Sequence, residues 1–435
     1  MSEPTKLLNK NFFLLWQGQL VSRIGTSVFF IAMGIYIKHA TESASLMGSV
    51  MMVAGLPAVL LAPFAGAFAD RYSRRKIVIV SDFLNAIAVL AFGFYLYFAP
   101  DAKEVIMLLL FVIALIISSV SAFFLPAVAA SIPDIVPKSK LTSANSLGQV
   151  SLQSSNLVGQ AAGPILFGIL GAPVLTLLNG LSYLYAGISK IFIKIPQVIP
   201  ERKDSLKGQM ADFKKDLKEG FFYVWHNTGL RILVFFSALL AFFSSMIYLL
   251  LLFFIEDFLH VDARWWGFLG VGMGVGSLLG YTFAGMVKFT PSQRGRIMIV
   301  FIFLNAVAYG ALGFVNLPIV ALIIMFVSGF LRGFVSVNIS VTLQLTTPSE
   351  IRGRVFGLLS MISGSLAPIG MGLGGMIADL VNKDIPLIYK TCGAIMVCLT
   401  IAAASSKSFR DYLATDREIK ISKKPEDDIV PDVVL

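Results

Sequence analysis

The chain has 435 residues, 57% hydrophobic and 14% charged, with a mean hydropathy of +0.81. Soluble domains carry roughly a quarter charged residues, so this composition excludes an ordinary water-soluble protein. The net charge of +10 does not imply a nucleic-acid partner, because the basic residues sit in short loops between apolar runs, where they set membrane topology.

The apolar residues fall in blocks of about 20, enough for a helix to cross a bilayer. The first block starts near Phe12 and is too long for the core of a cleavable signal, so it reads as a retained span. Twelve spans are predicted, over 12–37, 46–69, 77–98, 105–130, 141–168, 173–195, 230–255, 265–288, 297–314, 318–343, 355–381 and 386–406. The expected fold class is therefore all-α and integral to the membrane. The longest polar stretch, 196–229, reads as a cytoplasmic linker with an amphipathic helix. It separates a bundle over 1–195 from one over 230–406, and a tail follows over 407–435. Cys392 and Cys398 lie six apart in one late span, which disfavours a mutual disulfide and suits structural thiols.

Loop charge fixes the expected orientation. With both termini in the cytoplasm, that side holds 28 of the 35 Lys and Arg. The opposite side holds only Lys38, Lys103, Arg264, Lys383 and Lys390, while Arg23 and Arg332 lie mid-span. This asymmetry implies an even number of spans with cytoplasmic ends, in a cell membrane.

An internal repeat supports two related halves. "FLNAIAVLAFGF" (83–94) matches "FLNAVAYGALGF" (303–314) at eight of twelve positions, at an offset of 220. Asn85 then coincides with Asn305, and Arg74 with Arg294. Two six-span halves are an arrangement used by secondary transporters.

Between the second and third spans lies "GAFADRYSRRK" (66–76). It resembles the signature of the major facilitator superfamily, Gly-x-x-x-Asp-Arg-x-Gly-Arg-Arg/Lys, through Gly66, Asp70, Arg71, Arg74 and Arg75. Ser73 stands where the family has Gly. The resemblance implies a cytoplasmic latch. Gly66 lets two helices approach, and Asp70 accepts hydrogen bonds from the N-terminus of the eleventh span, near Gly353–Val355. The arginines would pair with Asp82 and Asp134. At the second-half equivalent, Thr290 replaces the acid. "NFFLLWQGQLVSRIGTSVFFIA", "DIVPKSKLTSANSLGQ" and "PSEIRGRVFG" resemble bacterial macrolide-efflux permeases of the drug:proton antiporter branch. The fifth span's Gly159, Gly163 and Pro164 resemble that branch's antiporter motif, implying a helix bend, although one Gly replaces the motif's final two.

Polar residues recur inside the spans, where charge is costly and marks function. Gln19, Arg23 and Thr26 share one face of the first span. Asn145, Gln149, Gln153, Asn156 and Gln160 form a stripe on the fifth, and Ser328, Arg332, Ser336 and Ser340 step along the tenth. These rows read as either a central substrate cavity or polar contacts between helices. The first span lacks an acid after Gly25, so the proton-coupling candidates are Asp82, Glu256, Asp257 and Asp379.

The favoured expectation is export of an amphipathic small molecule by proton antiport. The partners would be substrate, protons and the bilayer, and the resemblance implies a monomer. The alternative is transport of a lipid, siderophore or anionic metabolite, with Arg23 and Arg332 as anion anchors. An enzyme or ATP-driven pump is disfavoured, since no G-x-x-x-x-G-K-[ST] or H-E-x-x-H stretch occurs. No cofactor or metal is expected.

Overall fold

The computed structural model describes residues 6–197, 206–287 and 289–415, with side chains except at positions 62, 63, 66, 67, 70 and 206–214. Among these residues there are helices and no strands. The first half contains α1 (Lys10–Thr41), α2 (Ala44–Leu60), α3 (Ala62–Arg71), α4 (Arg74–Phe98), α5 (Lys103–Ile135) and α6 (Leu141–Ile191). Helix α7 (Leu206–His226) is the linker helix. Helices α8 (Thr228–Leu249) and α9 (Leu251–Phe253) run into a π-helical turn, Phe254–Phe258. Then come α10 (Arg264–Met286), α11 (Pro291–Ala311), α12 (Pro318–Thr346), α13 (Ser349–Leu380), α14 (Ile385–Ser405) and α15 (Lys407–Leu413).

Ten of these helical segments are long and apolar enough to cross a membrane. One of them contains α6, whose 51 residues would reach about 77 Å as a straight rod, more than twice a bilayer core. The chain turns back at Gly171, where φ is 70° and ψ 171°, a conformation that costs a residue with a Cβ. Its first arm runs parallel to α1, since Gly159 lies against Ser27 and Gly163 against Ile31. Its second arm runs antiparallel, since Gly25 meets Ser182 and Gly18 meets Lys190. Helices α2 and α3 form one further crossing, broken at Leu61 just after Pro57. Counting α6 twice and α2–α3 once brings the ten to twelve. The chain reversal falls at Gly171, beyond Gly163–Pro164, where the dihedrals of α6 are helical.

Short polar loops stop the spans, and their side chains satisfy the first backbone N–H groups of the next helix. Asn9 caps α1, Ser43 caps α2, Asn227 caps α8 and Asp384 caps α14. Thr290 and Gln293 form a capping box on α11. Ser73 is the N-cap of α4, accepting from the Lys76 N–H at 3.4 Å. That role accounts for a Ser at the position where the family motif has Gly.

Helix pairings in the first half recur in the second. Helix α1 packs on α6 as α8 packs on α13; α2 on α5 as α10 on α12; α4 on α6 as α11 on α14. The halves meet through α2 with α13 and α6 with α10. Large apolar side chains such as Ile87, Leu108, Ile169 and Ile323 are exposed on outer faces, which suits lipid and would be a liability in water.

Glycine sets the closest approaches. In α10, Gly276 and Gly280 lie against the Phe326 and Phe330 carbonyls, and in α12, Gly329 and Gly333 lie against those of Met273 and Ser277. We expect Gly280→Leu to force these backbones apart, at about 1–3 kcal/mol or more. It should abolish the monodisperse peak in fluorescence size-exclusion. Gly285→Leu, at a position with open space around it, should leave the peak intact. Equal behaviour of the two variants would contradict this packing.

Candidate functional site

The two halves are in close contact at one end of the molecule. At the far end, opposite the N-terminus, α2 and α13 are nearly in backbone contact. A Cβ on Gly48 would come within 2.5 Å of the Met371 carbonyl, and Gly375 lies against the Ala44 carbonyl. At the near end, no described residue comes within 4 Å of where a Cβ would sit on Gly148, Gly285, Gly353 or Gly357. The far end is therefore closed by α2 packed on α13.

Charged groups clamp the closed end. The Lys38 ammonium, at the end of α1, sits 2.6 Å from Glu256 and 2.7 Å from Asp257 in the π-helical turn. Its side chain is 8% exposed, so the interaction is poorly screened. His39 Nε2 lies 3.0 Å from Glu256. Asp379, late in α13, accepts from the backbone N–H groups of Ala44 and Ser45 at 3.1 and 2.8 Å and from the Ser43 hydroxyl at 2.9 Å. It thus caps the N-terminus of α2 across the interface, where the helix dipole favours an anion. In the loop beyond, Asp262 lies below the usual carboxylate range because the Arg264 backbone N–H donates to it.

Two chambers lie between the halves, of about 410 and 710 Å³. They share Gln160, Tyr248 and Met371. The smaller is bounded mainly by the first half and includes Arg23, Thr26, Asp82, Asn85 and Asn156. Its apolar wall includes Phe30, Phe124, Met47, Met51 and Trp266. The larger is bounded mainly by the second half and includes Arg332, Ser336, Ser340, Asn305 and Tyr309. The repeat thus places Asn85 in one chamber and Asn305 in the other, each with a buried side-chain oxygen that no described residue hydrogen-bonds.

The remaining residues of the predicted cavity lie elsewhere. Gln19 is buried within the first half and borders neither chamber. Asn145, Gln149 and Gln153 are exposed on the near-end turns of α6, outside both chambers. The reason is geometric: on α6 the smaller chamber is bordered by Leu152, Asn156 and Gln160, which step by four along one face, while Gln153 falls about 100° round the helix from Leu152 and Asn145 and Gln149 lie in turns before it. Arg23 donates to the Gly148 carbonyl at 3.2 Å. The Thr26 hydroxyl pairs with that of Tyr183 at 2.8 Å.

Asp82 does not pair with the loop arginines. Its partner is Lys190, on the second arm of α6, at 2.6 Å, with side chains 3% and 1% exposed. The Lys190 ammonium also lies 4.8 Å from the centre of the Phe124 ring. By position along the chain Lys190 counts toward cytoplasmic charge, yet it is inside the bundle, because its long stem reaches back past Gly18.

Of the motif arginines, Arg74 pairs with Asp134 at 2.7 Å and donates to the Ala130 carbonyl. Arg75 donates to the Ile193 and Ile191 carbonyls at 2.7 and 2.5 Å, closing the C-terminus of α6. Both contacts stay within the first half. Arg71 is half-buried at the end of α3. The predicted latch through Gly66 and Asp70 falls on side chains outside those described. The start of α13 is engaged differently: Arg354 pairs with Asp216 at 2.8 Å and with Glu219, both on α7. Tyr223 of α7 donates to the Thr346 carbonyl at 3.2 Å. The alternating charge of the linker carries no signal for this docking.

The sequence profile described as Major Facilitator Superfamily matches residues 15–371. The chain is 26% identical to macrolide efflux protein A of Streptococcus pyogenes over 406 residues, covering 92% of this chain and 96% of the relative. It is 23% identical to multidrug efflux pump Tap of Mycolicibacterium fortuitum over 416 residues, covering 93% and 96%. Among solved structures, the nucleoside transporter NupG aligns with a TM-score of 0.65 at 15% identity, over 90% of this chain and 97% of that one. A bacterial homologue of the iron transporter ferroportin in its inward-facing state aligns at 0.63 and 15%, over 92% and 100%. With this profile, twelve crossings and paired halves around a central cavity, the chain belongs to the major facilitator superfamily of membrane transporters.

Proposed function

We propose that this transporter exports amphipathic small molecules by proton antiport, through alternating access, with both termini in the cytoplasm of a cell membrane. The observation that carries the reading is the pair of joined chambers between halves that are clamped at the far end. With the near end cytoplasmic, this is the state that loads cargo from inside the cell. The wall of Phe, Trp, Tyr and Met side chains suits an apolar body of variable shape. The efflux relatives support the direction.

Rocking opens the far end when the Lys38 clamp and the Asp379 cap let go, and closes the near end through the motif residues Gly66, Asp70, Arg71, Arg74 and Arg75. Bundles over 1–195 and 230–406 move as the two bodies, with Gly159 and Gly163 as a close-packed seam on α1 inside the first. Asp82 is the coupling acid we favour, because it borders the smaller chamber and holds the only ammonium paired there; Glu256, Asp257 and Asp379 serve the clamp. A proton on Asp82 would free Lys190 and alter the charge facing the cargo.

The test is macrolide uptake into proteoliposomes. Uptake should rise several-fold when the interior is made acid and collapse when nigericin removes the gradient. Uptake indifferent to the gradient would remove the antiport reading, and absence of uptake would remove this cargo.

A further inference from the structure

We propose that the larger chamber is an anion subsite, in which Arg332 holds a carboxylate, sulfonate or phosphate group carried on an apolar body. The inference rests on the transport reading and adds the class of substrate. Arg332 stands midway along α12 and is exposed into the 710 Å³ chamber. Among the described residues, none that borders that chamber is an acid. Among the described residues, no ion pair or hydrogen bond engages the Arg332 guanidinium. Hydroxyls border the same chamber: Ser336 and Ser340 on the same helix, Ser237 and Ser244 on α8, and Ser363 on α13. Hydroxyls can donate to an oxyanion, and the guanidinium offers a planar fork that matches one.

Charge in the neighbouring chamber points the same way. Its only acid, Asp82, is already spent on Lys190, and Arg23 meets only a backbone carbonyl there. The two chambers together therefore present two guanidinium groups with no free carboxylate. A charge held in the middle of a membrane protein is weakly screened and needs a counter-charge. The missing counter-charge is supplied by the cargo. The apolar walls accept the rest of the molecule, so the ligand is an amphiphilic anion. That anion could be a free small molecule or an anionic lipid head group.

The experiment uses the purified full-length protein in a neutral detergent, with fusidate and its methyl ester as probes, read by isothermal titration calorimetry. Both share one steroid body, and only fusidate carries the carboxylate. We expect fusidate to bind at least about tenfold more tightly than the ester, the size of one charge-assisted hydrogen bond. Arg332→Gln should erase that preference while ester binding persists, which also shows that the variant folds. Arg332→Lys should keep part of it, and Lys103→Gln, at an exposed position bordering neither chamber, should leave it in place. Equal affinity of the two probes, absence of fusidate binding, or a preference that survives Arg332→Gln would overturn the proposal. In nanodiscs, competition by phosphatidylglycerol but not phosphatidylcholine assigns the subsite to a lipid head group, and absence of competition assigns it to a free anion. Macrolide uptake is measured separately, so failure of the anion subsite is distinguishable from failure of the transport reading.

Discussion

Asp82→Asn is expected to lower the thermal stability of the purified protein sharply. The Lys190 ammonium is 1% exposed and its one carboxylate partner lies 2.6 Å away. Removing one member of a buried pair strands the other charge, a loss of about 3–5 kcal/mol. The double variant Asp82→Leu with Lys190→Met should recover most of the stability, because two apolar side chains of similar size can replace a buried pair at little cost. The measurement is the unfolding midpoint in detergent for the single and double variants. An unchanged midpoint for Asp82→Asn would mean that the pair is not held together in the folded protein. If Asp82 is also the coupling acid, the double variant should be stable yet lose the response of transport to a pH gradient. Stability and coupling would then be separated within one set of variants.

The second large effect is expected at the far end. Lys38→Met should open the clamp. Glu256 and Asp257 are 17% and 40% exposed on their side chains, and without the ammonium two adjacent carboxylates face each other beside an apolar ring. Relief comes from moving the π-helical turn away from α1, so the far ends of the halves should separate. Spin labels placed on Thr41 and Asp262, both outside the clamp contacts, would report the change as a shift of the distance distribution toward longer values. Lys38→Arg should keep the short distance, because the guanidinium can still bridge both acids. Asp379→Ala should act in the same direction through a different contact, by uncapping α2, typically at about 1 kcal/mol. A Lys38→Met distribution identical to that of the unaltered chain would show that the close packing of α2 on α13 holds the far end shut without the clamp.

The clamp at the far end has the same physical form that the motif implies for the near end. There, the motif implies a carboxylate resting on the N-terminus of the eleventh span. At the far end, Asp379 from that same span rests on the N-terminus of α2. From its place late in a span, Asp379 reads as a possible proton site. Its surroundings are those of a helix cap, with two backbone N–H groups and a hydroxyl around it. Likewise Glu256 and Asp257 are ion-paired with Lys38 before they are anything else.

Composition and periodicity alone determined that this chain crosses a membrane as helices, where the crossings fall, and that its halves repeat. Those properties are local: hydropathy is summed over about 20 neighbours, caps act within a single turn, and a repeat needs only an offset. The mid-span arginines were legible for the same reason, since any charge inside an apolar run stands out. Tertiary structure alone decided which polar groups meet. Asp82 and Lys190 are 108 positions apart, and Lys38 and Glu256 are 218 apart; no spacing along the chain joins them. Only the pairing of α4 with the second arm of α6, and of α1 with the π-helical turn, brings each charge to its partner. The turn at Gly171 belongs to the same class, because several glycines stand along this stretch and the fold decides which one takes a positive φ and reverses the chain.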